Sequence, residues 1–177
     1  MDLGRVITAM VTPFDEQLRV DYKALENLVE HLLATGTDTL LVAGTTGESP
    51  TLSDEEKLQL FKACKEIAGS RAKIMAGTGS NSTLHSIELS KKAEEVGVDS
   101  LLLVSPYYNK PTQEGLYQHF KSIAEAVDIP VVLYNVPGRT AVTIEPETLA
   151  RLAEIDNVVA VKEAGGNLEK TSKTRVL

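Results

Sequence analysis

Residues 131–162 read VVLYNVPGRTAVTIEPETLARLAEIDNVVAVK, and this stretch decides the fold. It opens and closes with short apolar runs rich in valine, residues 131–135 and 158–162, which are typical of buried strands. Between the runs, Pro146 stands near the start of a segment whose leucines recur at helical spacing. The two runs start 27 residues apart, and one strand–helix–strand unit takes about 30 residues or more. We therefore predict two strands joined by a helix.

The same alternation extends toward the N-terminus. The runs start 33, 34, 27, 31 and 27 residues apart, and amphipathic segments separate them. The predicted strands cover residues 6–11, 39–43, 73–76, 100–104, 131–135 and 158–162. Capping signals mark the ends of most predicted helices. The first begins at Asp21 and ends at Gly36, and the second begins at a Ser53/Glu56 capping box and ends at Gly69. The third covers residues 81–97, the fourth begins near Thr112, and the fifth begins near Pro146.

Crossovers of this length make the strands parallel, and both faces of the runs are apolar, as in a sheet covered by helices. Two α/β architectures fit this pattern. One is a doubly wound open sheet, and the other is a (β/α)8 barrel of which a part is present. We treat residues 1–177 as a single domain.

Composition and charge exclude several function classes. Eighteen Lys and Arg stand against 25 Asp and Glu, which gives a net charge of -7 without a basic block, so no nucleic-acid partner is expected. The apolar runs are far shorter than the ~20 residues of a membrane-spanning helix, so no membrane association is expected. The N-terminus shows no secretory signal and the single cysteine allows no internal disulfide, so we expect a cytoplasmic protein.

In both architectures ligands bind at the carboxyl ends of the strands, so the residues just after each run form the candidate site. Polar side chains follow five of the predicted strands. The segments are GTTGE at 44–48, GTGSN at 77–81, SPYYN at 105–109, YNVPGR at 134–139, and Lys162. Hydroxyls, an arginine and a lysine therefore converge on one rim.

Lys162 is the candidate nucleophile. It ends a valine-rich strand on the same side as Ala160 and Val158, and an amine held against apolar walls has a lowered pKa and can form a Schiff base with a carbonyl. Tyr134, at the end of the preceding strand, is placed to pass protons to the intermediates. The alternatives are a solvated strand-end lysine and a core aromatic whose hydroxyl reaches water.

Three more residues are candidates for binding a substrate. The planar guanidinium of Arg139 suits a carboxylate, although a loop arginine can equally serve a surface ion pair. Thr45 and Thr46 stand between two glycines, so the backbone there can approach an anion while the hydroxyls donate hydrogen bonds to it. Ordinary turn chemistry is the alternative for both threonines.

Phosphate and metal sites are not expected. The glycines at 77–82 lack the third member of a dinucleotide-binding loop, and 44–48 lacks the Lys-Ser/Thr ending of a P-loop. Cys64 lies on the inward face of the second helix and is expected to be a core residue. The histidines match no metal-ligand spacing, and His31 and His119 are expected to be ordinary helix residues; the third is His85.

Four motifs, in this order and spacing, closely resemble those of the dihydrodipicolinate synthase family of pyruvate-dependent class I aldolases. They are GTTGES at 44–49, PYYNKP at 106–111, YNVPGRT at 134–140 and VKE at 161–163. The resemblance implies a (β/α)8 TIM barrel, of which about six strand–helix units are present. It also implies a lyase without a cofactor, because Lys162 would itself form the Schiff base with pyruvate.

The same resemblance assigns roles to the candidates. Thr45, Tyr134 and Tyr108 look like the family's proton-relay triad, with Tyr108 lent across a dimer interface, so a homo-oligomer (dimer or tetramer) is implied. Thr46 would help to hold the pyruvate carboxylate, and Arg139 would guide the carboxylate of aspartate 4-semialdehyde. The implied reaction condenses pyruvate with this aldehyde to 4-hydroxy-tetrahydrodipicolinate, in lysine and diaminopimelate biosynthesis.

Regulation by lysine is expected to be weak or absent. In lysine-inhibited members of the family an acidic residue occupies the position of His85. Lys57 would also meet a cationic effector unfavourably.

The chain departs from the family in its length. A closed (β/α)8 barrel takes about 250 residues, whereas only six strands can be placed in these 177 residues. Residues 168–177 carry little apolar periodicity and are interpreted as an atypical tail, so we expect a C-terminally truncated, incomplete barrel domain. Two alternatives to the synthase remain: an inactive fragment or oligomeric scaffold of the same family, or a related 2-keto-3-deoxy sugar acid aldolase, which usually lacks an arginine at position 139.

Overall fold

A computed structural model describes residues 2–176 and shows strands and helices that alternate along the chain. The strands are β1 (Ile7–Ala9), β2 (Thr39–Val42), β3 (Lys73–Gly77), β4 (Ser100–Val104), β5 (Val131–Asn135) and β6 (Val158–Glu163). The helices are α1 (Tyr22–Ala34), α2 (Asp54–Ala68), α3 (Thr83–Val96), α4 (Gln113–Ala124), α5 (Pro137–Thr140), α6 (Pro146–Leu152) and α7 (Leu168–Val176), with a 3-10 turn at Ser49–Thr51. All six predicted strands are present.

The chain forms two compact units. The first holds the described residues up to Gly77 together with Lys92–Ser100, and its strands pair in parallel in the order β1-β2-β3. The second holds Thr78–Lys91 and the described residues from Leu101 onward, with parallel strands in the order β4-β5-β6. In each unit the central strand is buried along its whole length, as expected for parallel strands covered on both faces.

The predicted capping signals act as expected. The Asp21 carboxylate accepts hydrogen bonds from the backbone N–H groups of the first turn of α1. Ser53 and Glu56 form the capping box of α2, which ends before Gly69 at φ 56°. Thr112 caps α4 by accepting from the Gly115 N–H at 3.2 Å. Local sequence therefore sets these helix boundaries.

The first strand is shorter than the predicted residues 6–11. Val6 and Val11 are about half exposed, and neither belongs to β1. The N–H groups of Arg5 and Val6 donate instead to the Asp38 carboxylate, at 2.7 and 2.9 Å. The Asp38 side chain therefore takes the place of a neighbouring strand as acceptor for the backbone N–H groups just before β1.

The last strand contains an irregularity that the predicted alternation did not include. Val131 pairs with Val158 and Val132 pairs with Ala160, so Val159 is an extra residue in β6. Regular pairing resumes at Ala160 and continues to Lys162. Lys162 therefore shares its face with Ala160 as predicted, whereas the bulge breaks the alternation between Ala160 and Val158.

Helix α7 occupies most of the predicted atypical tail at residues 168–177. It buries none of its side chains. Its start is capped by Asn167, whose side-chain oxygen accepts from the Lys170 N–H at 3.0 Å. Two ion pairs connect it to α6 and the residue before it: Lys170 with Glu145 at 2.8 Å, and Lys173 with Glu147. The helix is therefore held by charges, which explains the absence of an apolar period.

Among residues 2–176, no helix combines the length and apolarity needed to span a membrane.

Candidate active site

The carboxyl ends of β5 and β6 bring the two central candidates together. Tyr134 and Lys162 are register partners in these parallel strands. Their side chains consequently leave the sheet on the same face, and the Lys162 Nζ lies 4.3 Å from the centroid of the Tyr134 ring. Short apolar strands with a polar residue at the end thus deliver an amine and a phenol to one place.

Burial changes the pKa of the Lys162 amine. Tyr134 is 6% exposed and Lys162 is half-buried. Loss of water around the ammonium form lowers the pKa of Lys162 below its ordinary value. Among the described residues, no carboxylate forms an ion pair with this amine to offset that loss. More of the nucleophilic free amine is therefore present at neutral pH than for an exposed lysine.

The backbone of Tyr134 is anchored from the neighbouring strand. Its carbonyl oxygen accepts two hydrogen bonds from Ser105, one from the backbone N–H and one from the Oγ hydroxyl, each 3.0 Å long. Ser105 directly follows β4 and is fully buried. This double contact limits how far the tyrosine can move at the strand end.

Arg139 lies on α5, the short helix that follows β5, and is exposed. Within residues 2–176 its guanidinium forms no ion pair. The buried Thr140 hydroxyl shares its one proton between the carbonyls of Val136 and Val142, at 3.2 and 2.9 Å, and so closes the loop on itself. The guanidinium is thus presented to solvent by an ordered segment.

The surroundings of Tyr108 differ from those of Lys162 and Tyr134. It is 90% exposed, and its backbone adopts a left-handed conformation with φ 75°, which costs energy for a residue with a side chain. The adjacent Asn109 donates from its side chain to the Asn81 carbonyl at 3.2 Å. The loop is therefore ordered while the phenol projects into solvent.

Thr45 and Thr46 belong to the first unit, where they lie exposed on the turn after β2. The Thr12 hydroxyl donates to the Gly47 carbonyl at 2.7 Å, which fastens the turn to the segment after β1. A Cβ on Gly47 would lie 3.1 Å from the Met10 carbonyl oxygen, so this approach favours glycine. Both hydroxyls are accessible for a ligand.

Two further polar residues lie at the same strand ends, although the sequence motifs assign them no role. Asn135 and Glu163 are register partners one position beyond Tyr134 and Lys162. The Asn135 side-chain amide donates to Glu163 Oε2 at 2.8 Å. The signal that could have found them is their place directly after each candidate catalytic residue on neighbouring strands.

The remaining ionisable candidates are structural. Cys64 is fully buried, and burial raises the pKa of its thiol to about 12, as expected of a core residue. His119 is 6% exposed, bonded through Nδ1 to the Thr83 hydroxyl at 2.8 Å, and desolvation lowers its pKa to about 4. Within the described part of the chain, no three His, Cys, Asp or Glu side chains are grouped so that they could hold a metal ion.

Comparison with known proteins identifies what this chain is similar to. It matches the Dihydrodipicolinate synthetase family over residues 2–177. It is 60% identical to the 4-hydroxy-tetrahydrodipicolinate synthase of Bacillus subtilis over 175 residues, which cover 98% of this chain and 60% of that protein. The chain thus spans about 60% of the length of this curated relative.

Solved structures agree in fold. A dihydrodipicolinate synthase from Bacillus anthracis superposes with a TM-score of 0.97 at 52% identity, covering 98% of this chain and 60% of that one. A dihydrodipicolinate synthase from Acinetobacter baumannii complexed with pyruvate gives a TM-score of 0.96 at 50% identity, covering 99% of this chain and 60% of that one. The predicted fold class, six units of a (β/α)8 fold, is confirmed, and the chain belongs to the dihydrodipicolinate synthetase family.

Proposed function

We propose that this chain carries the Schiff-base centre of a lyase that condenses pyruvate with aspartate 4-semialdehyde to give 4-hydroxy-tetrahydrodipicolinate. The observation that carries the proposal is the half-buried Lys162 amine, 4.3 Å from the ring centroid of Tyr134 at the carboxyl ends of paired strands. Family membership supports the choice of substrates. A solved relative bound to pyruvate supports the first of them.

The first half of the proposed reaction activates pyruvate. The free amine of Lys162 attacks the C2 carbonyl and forms a C–N bond, and the carbonyl oxygen leaves as water after protonation. The Tyr134 phenol is the proposed proton donor and acceptor in this step, since its ring lies beside the amine. Removal of a proton from C3 of the iminium then gives the enamine nucleophile.

The second half forms the carbon–carbon bond. The enamine C3 attacks the aldehyde carbon, whose oxygen takes up a proton to become the 4-hydroxyl group. The amine of the second substrate then attacks C2 and closes the ring, which breaks the bond to Lys162 and returns its amine. We assign Thr45 and Tyr108 to the proton relay with Tyr134, and Thr46 to the pyruvate carboxylate.

Arg139 is the proposed specificity residue for the aldehyde. Its exposed guanidinium is without an ion pair among residues 2–176, so it is available to a substrate carboxylate. A 2-keto-3-deoxy sugar acid aldolase, the alternative enzyme, would have no use for this charge at the aldehyde end of its substrate. We therefore favour aspartate 4-semialdehyde.

A homo-oligomer, either a dimer or a tetramer, is part of the proposal. Tyr108 supports it, because a strained backbone that presents a 90% exposed phenol suits a side chain that completes a second copy's site. Weak or absent inhibition by lysine is also proposed. The positions that bear on it are His85, which is half-buried beside Ser80 Oγ at 3.2 Å, and the buried Lys57, which pairs with Asp54 at 3.5 Å.

The proposal is tested by trapping the Schiff base. The chain is incubated with pyruvate and sodium borohydride, digested, and mapped by mass spectrometry. We expect one reduced pyruvate adduct, located on Lys162. Lys162→Arg should abolish the adduct, whereas Lys121→Arg on α4, at a half-buried lysine that pairs with Glu125 at 3.4 Å, should leave it unchanged. Addition of aspartate 4-semialdehyde before borohydride should lower the trapped yield.

Absence of the Lys162 adduct, under conditions that label the B. subtilis relative, would overturn the proposal and favour an inactive fragment or scaffold of the family. An adduct that 2-keto-3-deoxy sugar acids deplete, while aspartate 4-semialdehyde does not, would favour the sugar acid aldolase. Gel filtration with light scattering tests the oligomer, and a monomer would contradict that part.

A further inference from the structure

A second pair of side chains lies behind the Lys162 and Tyr134 pair. Successive side chains along a strand point to opposite faces, so the register partners Asn135 and Glu163 occupy the face away from the amine and the phenol. Asn135 is 3% exposed. Glu163 is half-buried, and the buried amide of Asn135 needs hydrogen-bond partners for both its nitrogen and its oxygen.

Those partners come from three different segments. The Asn135 Nδ2 donates to Glu163 Oε2 at 2.8 Å, and the Asn135 Oδ1 accepts from the Ile144 N–H at 3.0 Å. The other carboxylate oxygen of Glu163 accepts from the Gly165 N–H at 2.5 Å. The pair therefore joins the end of β5, the segment before α6 and the turn after β6.

The direction of each bond is set by chemistry. A backbone N–H can only donate and a carboxylate can only accept, so the Asn135 amide has a single orientation that satisfies both Ile144 and Glu163. Gly165 contributes through its lack of a side chain, because a Cβ there would lie 2.6 Å from Glu163 Oε1. The arrangement is therefore specific to these residue types.

The bonds hold the segments that bear the site. Ile144 ends the stretch 136–144, which carries Arg139 and is closed on itself by the Thr140 hydroxyl. Glu163 directly follows Lys162 in β6. Loss of the Asn135–Glu163 bond would remove the side-chain link between the ends of β5 and β6 and the contact that orients the Asn135 amide toward Ile144, while the backbone pairing of the two strands stayed in place.

We propose that Asn135 and Glu163 are positioning residues, whose paired side chains hold the Lys162 strand end and the Arg139 segment in the arrangement that Schiff-base chemistry requires. The proposal rests on the function proposed above, because it takes Lys162 as the nucleophile. Neither residue touches the reacting atoms in this role. Their effect passes through the placement of Lys162 beside Tyr134.

A reciprocal exchange tests the pair. In Glu163→Gln, one of the two accepting oxygens is replaced by a donating N–H₂ group. This group then faces another donor, either Asn135 Nδ2 or the Gly165 N–H, so one hydrogen bond is lost. In Asn135→Asp, two carboxylates face each other. The double variant N135D/E163Q reverses the bond, restores one donor for every acceptor and keeps a single negative charge.

Charge and position predict different outcomes. If the pair acted only through its charge, Glu163→Gln, which removes a carboxylate, and Asn135→Asp, which adds one, would change the reactivity of Lys162 in opposite directions. Positioning predicts that each single variant lowers the rate of pyruvate adduct formation at Lys162 by about tenfold or more, since small misplacements are costly. The double variant should recover to within about threefold of the wild-type rate. Glu169→Gln, on the exposed face of α7, is the matched charge control and should have no effect.

Two readouts do not depend on catalysis. Amide hydrogen exchange at Ile144 and Gly165, followed by NMR, should accelerate in the single variants and return to the wild-type rate in the double variant. Competitive acetylation of Lys162 across a pH series should shift in the same pattern. If the wild-type forms no pyruvate adduct, the proposed function fails, and these two readouts alone decide whether the pair positions Lys162.

Restoration in the double variant of both the exchange rates and the acetylation profile supports the proposal. Single variants with wild-type exchange and wild-type acetylation would overturn it. A double variant whose losses equal the sum of the two single losses would also overturn it, because a direct pairing requires coupling between the two sites.

Discussion

At the scale of the residue, Lys162 shows how placement changes an ordinary side chain. It lies at the end of a valine-rich strand, half-buried, with the Tyr134 ring beside its amine. Desolvation penalises the ammonium form, so the pKa of Lys162 is lowered and the free amine persists at lower pH. The chemistry proposed for this chain depends on that shift and on the neighbouring phenol.

The lowered pKa of Lys162 predicts the pH dependence of adduct formation. The rate of cyanoborohydride-trapped pyruvate adduct should rise with pH and reach half of its maximum below 10.5, the ordinary lysine value. The comparison is a free peptide with the sequence of residues 158–163, in which the lysine is solvated. A half-maximum for the folded chain at or above that of the peptide would show that burial does not activate the amine.

The phenol of Tyr134 can be removed without removing its ring. Tyr134→Phe should slow adduct formation by about a hundredfold, because general acid–base catalysis contributes on that order. The circular dichroism spectrum and urea midpoint should change little. Tyr117→Phe, in which the ring still packs under Arg151, serves as the control. A wild-type rate in Tyr134→Phe would exclude the phenol from proton transfer.

At the scale of the element, α7 differs from the other long helices in what holds it. Helix α4 buries Leu116, Phe120 and Ile123, whereas α7 buries none of its side chains. The ion pairs Lys170–Glu145 and Lys173–Glu147 connect it to α6 and to the residue before α6, and Asn167 caps its own first turn. Ion pairs at this exposure are weak and are screened by salt.

Salt should therefore loosen α7 selectively. Raising sodium chloride from 50 mM to 1 M should increase amide hydrogen exchange in residues 168–176 by severalfold and leave α4 unchanged. Lys170→Met, which keeps most of the side-chain stem but not the charge, should show the high-salt behaviour already at 50 mM. If exchange in α7 did not respond to salt, apolar packing would have to hold this helix.

At the scale of the whole molecule, buried His119 links global stability to pH. Its pKa is lowered from 6.5 to about 4 by burial, and its Nδ1 is bonded to the Thr83 hydroxyl. Between these pH values the unfolded chain binds a proton that the folded chain does not. The free energy of unfolding must therefore fall as the pH falls through this window.

The size of this effect follows from the shift. The His119 contribution should lower the free energy of unfolding by roughly 3 kcal/mol between pH 7 and pH 4. Urea denaturation of wild-type and His119→Asn at both pH values isolates it, because acidic residues with lowered pKa values affect both proteins alike. An equal pH dependence in the two proteins would contradict the prediction.

Much of the architecture could be predicted from the sequence because its causes are local. Periodicity and caps located the strands and the five helices that were expected, including the Ser53/Glu56 box. The helix α7 could not be found in this way, because ion pairs with residues of another segment hold it. The bulge at Val159 was likewise missed, since it exists only in the pairing of β6 with β5.

For the site, the sequence by itself determined which chemical groups are available: an amine after a valine run, a phenol on the preceding strand, and an arginine beyond it. The resemblance of four motifs attached roles to them. Only the tertiary structure decided that Lys162 lies 4.3 Å from the Tyr134 ring centroid, and that Asn135 and Glu163 bond behind them. The reason is physical: residue type and strand order are written along the chain, whereas register, burial and the resulting pKa shift arise only when distant segments pack together.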